Sequence, residues 1–236
     1  MSDKYLIVGA TGSIGSNLAE QLHAAGKEIH LVGRDESNTK ILAQKLNCNF
    51  TIADVLTEGF VEKIKSDIQE IKGIAYCVGS IDLKPLRMVK ENDFNKCMKL
   101  NLYSAVDLIK GFEESLKRSK GSIVLFSTVA AQRGFTNHSI IASAKAAVEG
   151  LTVSLAAEFA PNIRVNCIAP SLTKSKISEF LTKNEKMAEA IAKSHPLKRI
   201  GEGVDFASIV EFLLSKNSSW MTGQIVGVDG GRSSVV

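Results

Sequence analysis

The sequence is poor in several residue types that mark specialised proteins. It has four prolines, one tryptophan and four cysteines, and aromatic residues make up 6% of the chain. No two cysteines form a C-x-x-C pair, and the spacing of Cys48, Cys77, Cys97 and Cys167 fits neither a zinc site nor a disulfide framework. The sequence therefore predicts no metal site, and it predicts reduced thiols in apolar surroundings.

Charge and hydropathy argue against two further classes of protein, those that bind nucleic acid and those that span a membrane. The 29 basic and 25 acidic residues leave a net charge of +4, which is too mild for a nucleic-acid-binding surface. No run of about 18 apolar residues is present, so we expect no membrane span. The first four residues lead directly into an apolar run, without the regions of a signal peptide. We therefore expect a cytoplasmic protein that binds neither nucleic acid nor membrane.

Length and composition are those of a folded globular protein. The chain has 236 residues, of which 44% are hydrophobic and 23% charged, enough to form a full core without disulfides. We find no linker, repeat or low-complexity segment. These features predict a single domain over residues 1–236.

Short apolar runs alternate with longer amphipathic segments. The runs, several of them rich in Val and Ile, are typical of parallel strands buried on both faces, and they cover residues 5–8, 29–32, 50–52, 74–78, 123–126, 165–168 and 225–228. Helical periodicity is found in residues 17–25, 38–46, 94–116, 139–159 and 204–214. This order predicts an α/β fold, namely a Rossmann-type, doubly wound parallel sheet of about seven strands with helices on both faces.

Residues 171–199 follow the sixth predicted strand and are polar and rich in lysine. Ligands bind beyond the carboxyl ends of the strands in an open α/β sheet, so this segment is a candidate substrate lid. A pair of surface helices is the alternative. Its seven basic and three acidic residues fit either an anionic substrate or a solvated helix face.

The first predicted strand runs into a glycine-rich loop and then a helix, which is the context that a dinucleotide site requires. Gly9 permits a tight turn, Gly12 lets the backbone approach a pyrophosphate, and Gly15 lets the helix pack close to the sheet. The helix N-terminus offers free N–H groups to phosphates, and two side chains add hydroxyl groups. We therefore predict that the cofactor is bound by Gly9, Thr11, Gly12, Ser13, Ile14 and Gly15.

The end of the second predicted strand bears on cofactor choice. Gly33 stands where an acidic side chain would bind the ribose 2′-hydroxyl of NAD, and Arg34 after it is suited to the 2′-phosphate of NADP. These residues favour NADP(H) over NAD(H). Asp35 leaves the alternative open, because its carboxylate can turn to solvent or bind a 2′-hydroxyl.

Two further strand ends complete the predicted cofactor site. Asp54 and Val55 follow the third strand, where a carboxylate would lie near an adenine ring. Cys77 and Gly79 lie at the end of the fourth strand, where a small residue lets the backbone approach the adenosine half of a cofactor.

Motifs in the same order over essentially the whole chain resemble those of the short-chain dehydrogenase/reductase family. Beside the glycine loop they include Ala53-Asp54-Val55, Lys99-Leu100-Asn101-Leu102, residues 121–128, Ser143-Ala144-Lys145, Arg164–Pro170 and Val228-Asp229-Gly230-Gly231. The resemblance implies hydride transfer between a nicotinamide cofactor and a small carbonyl or alcohol substrate. It also implies that Asn101, Thr128 and Lys145 are catalytic residues, that Lys145 holds the nicotinamide ribose, and that Pro170 and Thr173 lie at the nicotinamide end. A homodimer or homotetramer formed through the helices at 94–116 and 139–159 is implied as well.

The chain departs from the family pattern at the residue that handles the proton. The family has a tyrosine four residues before the lysine, on the same helix face, and Ile141 stands there in this sequence. Thr128 keeps a hydroxyl where the family has serine, and Ser171 replaces the glycine that usually follows the strand-ending proline. The sequence therefore predicts an atypical member that lacks the catalytic tyrosine of the Y-x-x-x-K motif.

Two functions are compatible with this pattern. The first is an NADP(H)-dependent oxidoreductase that obtains its proton from water, from the substrate or from His138, one turn before Ile141. A solvent-facing histidine at a helix start is the plainer interpretation of His138. The second is a catalytically impaired relative that acts as a cofactor-binding sensor or as a structural or regulatory subunit.

Overall fold

The computed structural model describes residues 3–235 and has a seven-stranded parallel sheet in the order β3-β2-β1-β4-β5-β6-β7. The strands are β1 (Lys4–Val8), β2 (Glu28–Gly33), β3 (Asn49–Ile52), β4 (Gly73–Tyr76), β5 (Ser122–Phe126), β6 (Arg164–Pro170) and β7 (Ile225–Val228). The predicted fold class is confirmed, and the strand bounds differ from the predicted ones by two residues or fewer.

Helices cover both faces of the sheet. They are α1 (Ser13–Ala24), α2 (Glu36–Lys45), α3 (Phe60–Asp67), α4 (Glu91–Met98), α5 (Ser104–Ser119), α6 (Ser139–Phe159), α7 (Glu179–Thr182), α8 (Glu185–Lys193) and α9 (Val204–Leu214). One buried cluster joins the sheet to α3, α5 and α6, and a second joins it to α1, α2 and α9. The sheet is therefore the middle layer of three.

Strand β5 shows why these runs form central strands. All five of its residues are buried, and its side chains alternate between the two clusters: Ile123 and Leu125 belong to one, Val124 and Phe126 to the other. A strand with apolar residues on both sides is stable only between two helical layers.

The predicted helix at 94–116 is interrupted. A π-helical turn over Lys99–Tyr103 separates α4 from α5. The π turn holds Asn101, and such turns frequently occur at functional sites because they redirect side chains.

Helix α6 has 21 residues and is long and apolar enough to span a membrane by length and composition alone, a test that core helices of soluble proteins also pass. One side of it packs on the sheet through Val148, Ala156 and Phe159. Val153 on the same helix is 53% exposed.

The strand order places a switch point between β1 and β4, where the chain connections leave in opposite directions. Loops from both sides part there and leave a crevice at the carboxyl ends of the strands.

Candidate functional site

A cavity of about 940 Å³ runs along the carboxyl edge of the sheet and crosses the switch point. Its walls come from the segments that follow strands β1 to β7. Two positions predicted from the sequence, Gly15 and Asn101, lie outside the lining. All the others line it, together with Ile141: Gly9, Thr11, Gly12, Ser13, Ile14, Arg34, Asp54, Val55, Cys77, Gly79, Thr128, Lys145, Pro170 and Thr173.

The loop after β1 is shaped by its glycines. Gly9 has a φ angle of +81°, and a Cβ atom on it would lie 3.0 Å from the carbonyl carbon of Cys77. A Cβ atom on Gly15 would overlap the carbonyl oxygen of Gly9. A side chain at position 15 would therefore push α1 away from the loop. Gly15 thus supports the cavity from behind without lining it.

The N-terminus of α1 opens towards this loop. Gly12 is the N-cap residue, so no side chain caps the helix, and the first turn contains no acidic residue. The N–H groups of a first helical turn lack intrahelical partners and lie at the positive end of the helix dipole. The arrangement is an anion-binding cradle of the kind that receives a pyrophosphate.

The two charged residues that follow β2, Arg34 and Asp35, have different surroundings. Asp35 is the N-cap of α2, and its carboxylate accepts hydrogen bonds from N and Nδ2 of Asn38 at 2.9 and 2.8 Å. These bonds lower the pKa of Asp35. A Cβ atom on Gly33 would overlap Oγ1 of Thr39, which donates a hydrogen bond to the Asp35 carbonyl. Arg34 lines the cavity, whereas Asp35 is committed to its helix and does not.

Asn101 and Lys145 converge behind Gly79. Nδ2 of Asn101 donates a hydrogen bond to the carbonyl oxygen of Cys97 at 2.9 Å, while Oδ1 is buried with no hydrogen-bond partner among the described residues. This oxygen and Nζ of Lys145 lie 3.3 and 3.4 Å from the position that a Cβ atom of Gly79 would take. An unpaired acceptor and a buried amine therefore both lie next to Gly79.

Lys145 is 6% exposed, and its Nζ donates a hydrogen bond to the carbonyl oxygen of Phe126 at 2.8 Å. Burial lowers the pKa of Lys145 from 10.5 to about 8. The amine is thus mostly protonated at neutral pH, and it faces the cavity as a desolvated positive charge.

Two hydroxyl groups at the end of β5 differ in their hydrogen-bond partners. Oγ of Ser127 donates to the Glu149 carboxylate at 2.7 Å and lies 3.2 Å from the Lys145 carbonyl oxygen. Oγ1 of Thr128 accepts a hydrogen bond from the backbone N–H of Ala130 at 3.3 Å, and its own hydrogen has no acceptor among the described residues. The hydroxyl hydrogen of Thr128 is therefore available to form a hydrogen bond with a ligand.

Ile141 lines the cavity one helical turn before Lys145 and is 5% exposed. No tyrosine takes its place, because none of the three tyrosines lines the cavity. The hydroxyl of Tyr76 donates to the Leu100 carbonyl oxygen at 2.9 Å, Tyr5 is buried in the sheet, and Tyr103 is 49% exposed.

The segment 171–199 borders the cavity with apolar side chains, namely Ile177, Phe180, Leu181 and Ile191. Of its seven basic residues, Lys176 alone lines the described cavity, while Lys174, Lys193 and Arg199 form ion pairs with carboxylates. The basic character of the segment therefore belongs mainly to its solvent-facing side.

Two residues of this segment form a contact that the sequence analysis did not anticipate. Oγ of Ser171 lies 2.7 Å from Nε2 of His195, and both residues line the cavity. The residues are 24 positions apart, and no spacing rule relates them. Ser171 was visible only as a departure from the family pattern.

The glycine loop, the open N-terminus of α1 and the cavity are the features of a dinucleotide-binding α/β protein. Comparisons with known proteins agree: the family model described as Enoyl-(Acyl carrier protein) reductase matches residues 9–233. The 3-oxoacyl-[acyl-carrier-protein] reductase FabG of Rickettsia typhi is 34% identical over an alignment of 236 positions that covers 98% of this chain and 96% of the relative. A tropinone reductase homologue of Arabidopsis thaliana is 33% identical over 238 residues, covering 96% and 90%. The chain therefore belongs to the short-chain dehydrogenase/reductase family of oxidoreductases.

Solved structures show the same fold. ElxO with NADP bound superposes with a TM-score of 0.89 at 25% sequence identity, covering 99% of this chain and 100% of that chain. A tyrosine-to-phenylalanine variant of ElxO with NADPH bound matches equally well. A short-chain type dehydrogenase/reductase from Mycobacterium ulcerans gives a TM-score of 0.90 at 27% identity, covering 99% and 91%.

Proposed function

We propose that the protein is an NADP(H)-dependent oxidoreductase that transfers hydride between the nicotinamide and the carbon of a carbonyl or alcohol substrate. The observation that carries this proposal is the continuity of the cavity, which joins the glycine loop at Gly12 to Thr128 and Lys145. The reductase relatives support the same reaction class.

The residues present fit a dinucleotide. The α1 N-terminus and the Gly12 backbone would hold the pyrophosphate, Asp54 and Val55 the adenine, and Pro170 and Thr173 the nicotinamide. When bound, the cofactor supplies or accepts a hydride at its nicotinamide ring. The orphaned Oδ1 of Asn101 and the nearby Lys145 amine offer an acceptor and a donor on the ribose side of this site.

Arg34 supports NADP(H) as the cofactor. Its guanidinium is free to form charge-assisted hydrogen bonds to a 2′-phosphate. The NAD-type alternative needs a carboxylate at the 2′-hydroxyl, and Asp35 is held by Asn38 instead. ElxO, which shares the fold, binds NADP and NADPH.

The chain supplies two groups to the substrate oxygen. Thr128 donates the hydrogen of its hydroxyl, which polarises a carbonyl. Lys145, buried and positively charged, stabilises negative charge that develops in the same part of the cavity. The hydrogen bond to the Phe126 carbonyl oxygen keeps the amine oriented.

Ile141 favours a second candidate function, because its side chain cannot transfer a proton. In this alternative the protein binds NADP(H) without turnover and serves as a sensor or as a subunit of a larger assembly. The tyrosine-to-phenylalanine variant of ElxO, which holds NADPH, supports binding by a short-chain dehydrogenase/reductase fold after one tyrosine hydroxyl is lost.

We also propose that residues 171–199, with α7 and α8, form the substrate lid. Ile177 and Phe180 are 51% and 58% exposed although they border the cavity. Closure over a substrate buries these apolar side chains and excludes water.

Binding is tested by calorimetric titration of the wild type and of Arg34→Gln with NADPH and NADH. Loss of the guanidinium is expected to weaken NADPH binding about 10- to 150-fold, since a hydrogen bond to a charged group contributes about 1.5–3 kcal/mol. NADH binding is expected to change little. Arg118→Gln is the matched control, because Arg118 pairs with Glu70 and does not line the cavity. Equal losses for both cofactors would contradict the role of Arg34.

Turnover is tested by following NADPH oxidation with ethyl acetoacetate and its trifluoromethyl analogue, with tropinone as a third ketone. Reduction of any of these ketones supports the oxidoreductase. Tight NADPH binding without reduction, in turn, favours the sensor.

A further inference from the structure

The contact between Ser171 and His195 has the geometry of a proton-transfer pair. Nε2 of His195 lies 2.7 Å from Oγ of Ser171, and Nδ1 lies 2.8 Å from the carbonyl oxygen of Ile191. His195 is 2% exposed, so its ring has little room to change orientation. It is enclosed by α8, by the end of β6 and by Gly230 of the last turn, whose Cβ position would lie 3.6 Å from the His195 ring.

These distances fix which nitrogen carries the proton. A carbonyl oxygen only accepts hydrogen bonds, so Nδ1 of His195 is the donor to Ile191. In the neutral ring Nε2 is then a free acceptor, and Ser171 must donate to it. When the ring is protonated, Nε2 donates to Ser171 instead, and the hydroxyl hydrogen of Ser171 is free to point into the cavity.

Ser171 and Thr128 lie after neighbouring strands at the carboxyl edge of the sheet. Ser171 follows β6 and Thr128 follows β5, and these strands are neighbours whose last contact is the hydrogen bond from Ser127 N to Ile168 O at 2.7 Å. Both residues line the same cavity. Ile141 faces it with no group that can carry a proton.

The other histidine of the cavity is placed less well. Nδ1 of His138 lies 2.7 Å from the Thr136 carbonyl oxygen, and its ring contacts Phe135. Its second nitrogen has no hydrogen-bond partner among the described residues, and the ring also borders a second, smaller cavity. Ser171 and His195 are linked to each other, whereas His138 has no hydroxyl group to pass a proton on.

We propose that Ser171 and His195 replace the missing tyrosine as the source of the proton for the substrate oxygen. In the reductive direction a hydride reaches the carbonyl carbon from the reduced nicotinamide, and the π electrons of the carbonyl move to its oxygen. That oxygen takes the proton of Ser171 Oγ, and Ser171 takes the Nε2 proton of His195. His195 becomes neutral and is reprotonated by water from the cavity. Ser171 is the catalytic residue and His195 the positioning residue behind it.

This proposal rests on the proposed oxidoreductase function, and its first test needs no turnover. Nitrogen-15 NMR of the cofactor-free protein is expected to show that the neutral form of His195, when it is populated, carries its proton on Nδ1. Ser171→Ala is expected to shift the Nε2 resonance and leave Nδ1 in place. A ring protonated at Nε2 in the neutral form would overturn the relay, because Ser171 would then have no acceptor.

The second test compares kcat for ethyl acetoacetate and its trifluoromethyl analogue. Ser171→Ala and His195→Gln are expected to lower kcat for the unfluorinated ester about 10²- to 10⁴-fold, the usual contribution of a general acid. The loss is expected to be at least tenfold smaller for the fluorinated ester, whose product alkoxide is a weaker base. In both variants KM and the affinity for NADPH are expected to stay within about threefold of the wild-type values. Ser171→Thr, which keeps a hydroxyl group, is expected to retain activity.

Ser194→Ala is the matched control. Ser194 donates to the same Ile191 carbonyl oxygen at 2.6 Å but does not line the cavity, so its loss is expected to leave kcat unchanged. Unchanged kcat in Ser171→Ala, equal losses for both esters, or a loss confined to His138→Gln would overturn the relay while leaving the oxidoreductase in place. A wild type that binds NADPH but reduces neither ester overturns the proposed function and the relay with it.

Discussion

Replacing Lys145 with methionine is expected to change how the stability of the cofactor-free protein depends on pH. Lys145 is buried, and its pKa falls from 10.5 in the unfolded chain to about 8 in the folded one. Between these values the unfolded chain binds more protons, so the free energy of unfolding of the wild type rises with pH. Methionine fills a similar volume and carries no charge, which removes this dependence.

The magnitude follows from the size of the shift. Each pKa unit corresponds to about 1.4 kcal/mol, so burying the amine costs about 3 kcal/mol at pH 7, where it stays charged. At pH 9.5 the folded protein has lost this proton and the unfolded chain has kept it, and the cost is about 1.4 kcal/mol. The variant also loses the hydrogen bond to the Phe126 carbonyl oxygen, worth about 1–3 kcal/mol at either pH. The free energy of unfolding of Lys145→Met minus that of the wild type is therefore expected to fall by about 2 kcal/mol from pH 7 to pH 9.5, because the wild type becomes more stable.

Urea unfolding followed by circular dichroism measures this difference, in reducing buffer without cofactor. Lys110→Met, on the exposed side of α5, controls for the loss of one positive charge. A stability difference between Lys145→Met and wild type that stays constant over this pH range would refute the argument that burial of the amine destabilises the fold.

Four further substitutions test other parts of the structure. Ile141→Tyr is expected to raise ketone reduction at least tenfold, because it adds a phenol one turn before the buried amine of Lys145; NADPH-coupled kinetics measure this. Gly15→Ala is expected to lower the free energy of unfolding by about 1–3 kcal/mol through overlap with Gly9, whereas Gly150→Ala, in open space within α6, is expected to raise it by about 0.5–1 kcal/mol, both from urea curves. Val153→Arg is expected to yield monomers in light scattering if the exposed face of α6 pairs with a second copy.

The sheet could be predicted from the sequence because its strands are short apolar runs bounded by glycine, polar residues and helices. Residues 225–228 and helix 139–159 match the structure at both ends. Helix α3 was missed, since its eight residues give the helical period too little length. The π turn at Asn101 was missed because one widened turn leaves the apolar pattern on either side intact.

The site was predictable where it depends on local sequence and not where it depends on distant contacts. The glycine loop and Arg34 follow β1 and β2 directly and lie in the cavity. The ambiguity of Asp35 had a signal in the sequence, because Asp35 followed by Asn38 at the start of a helical segment is typical of an N-cap. The Ser171–His195 contact depends on how α8 folds back over β6, and no local pattern encodes that.

The close packing of Thr39 over Gly33 constrains how cofactor preference can change during evolution. An aspartate at position 33, the direct route to an NAD-type site, meets the Thr39 hydroxyl first. A smaller residue at position 39 must therefore arise before or together with the acid. Because that hydroxyl also anchors the first turn of α2, the intermediate is expected to be less stable than the starting protein. Lineages of this protein are thus expected to change position 39 before position 33, so the order of the two mutations is set by packing and not by selection on the cofactor.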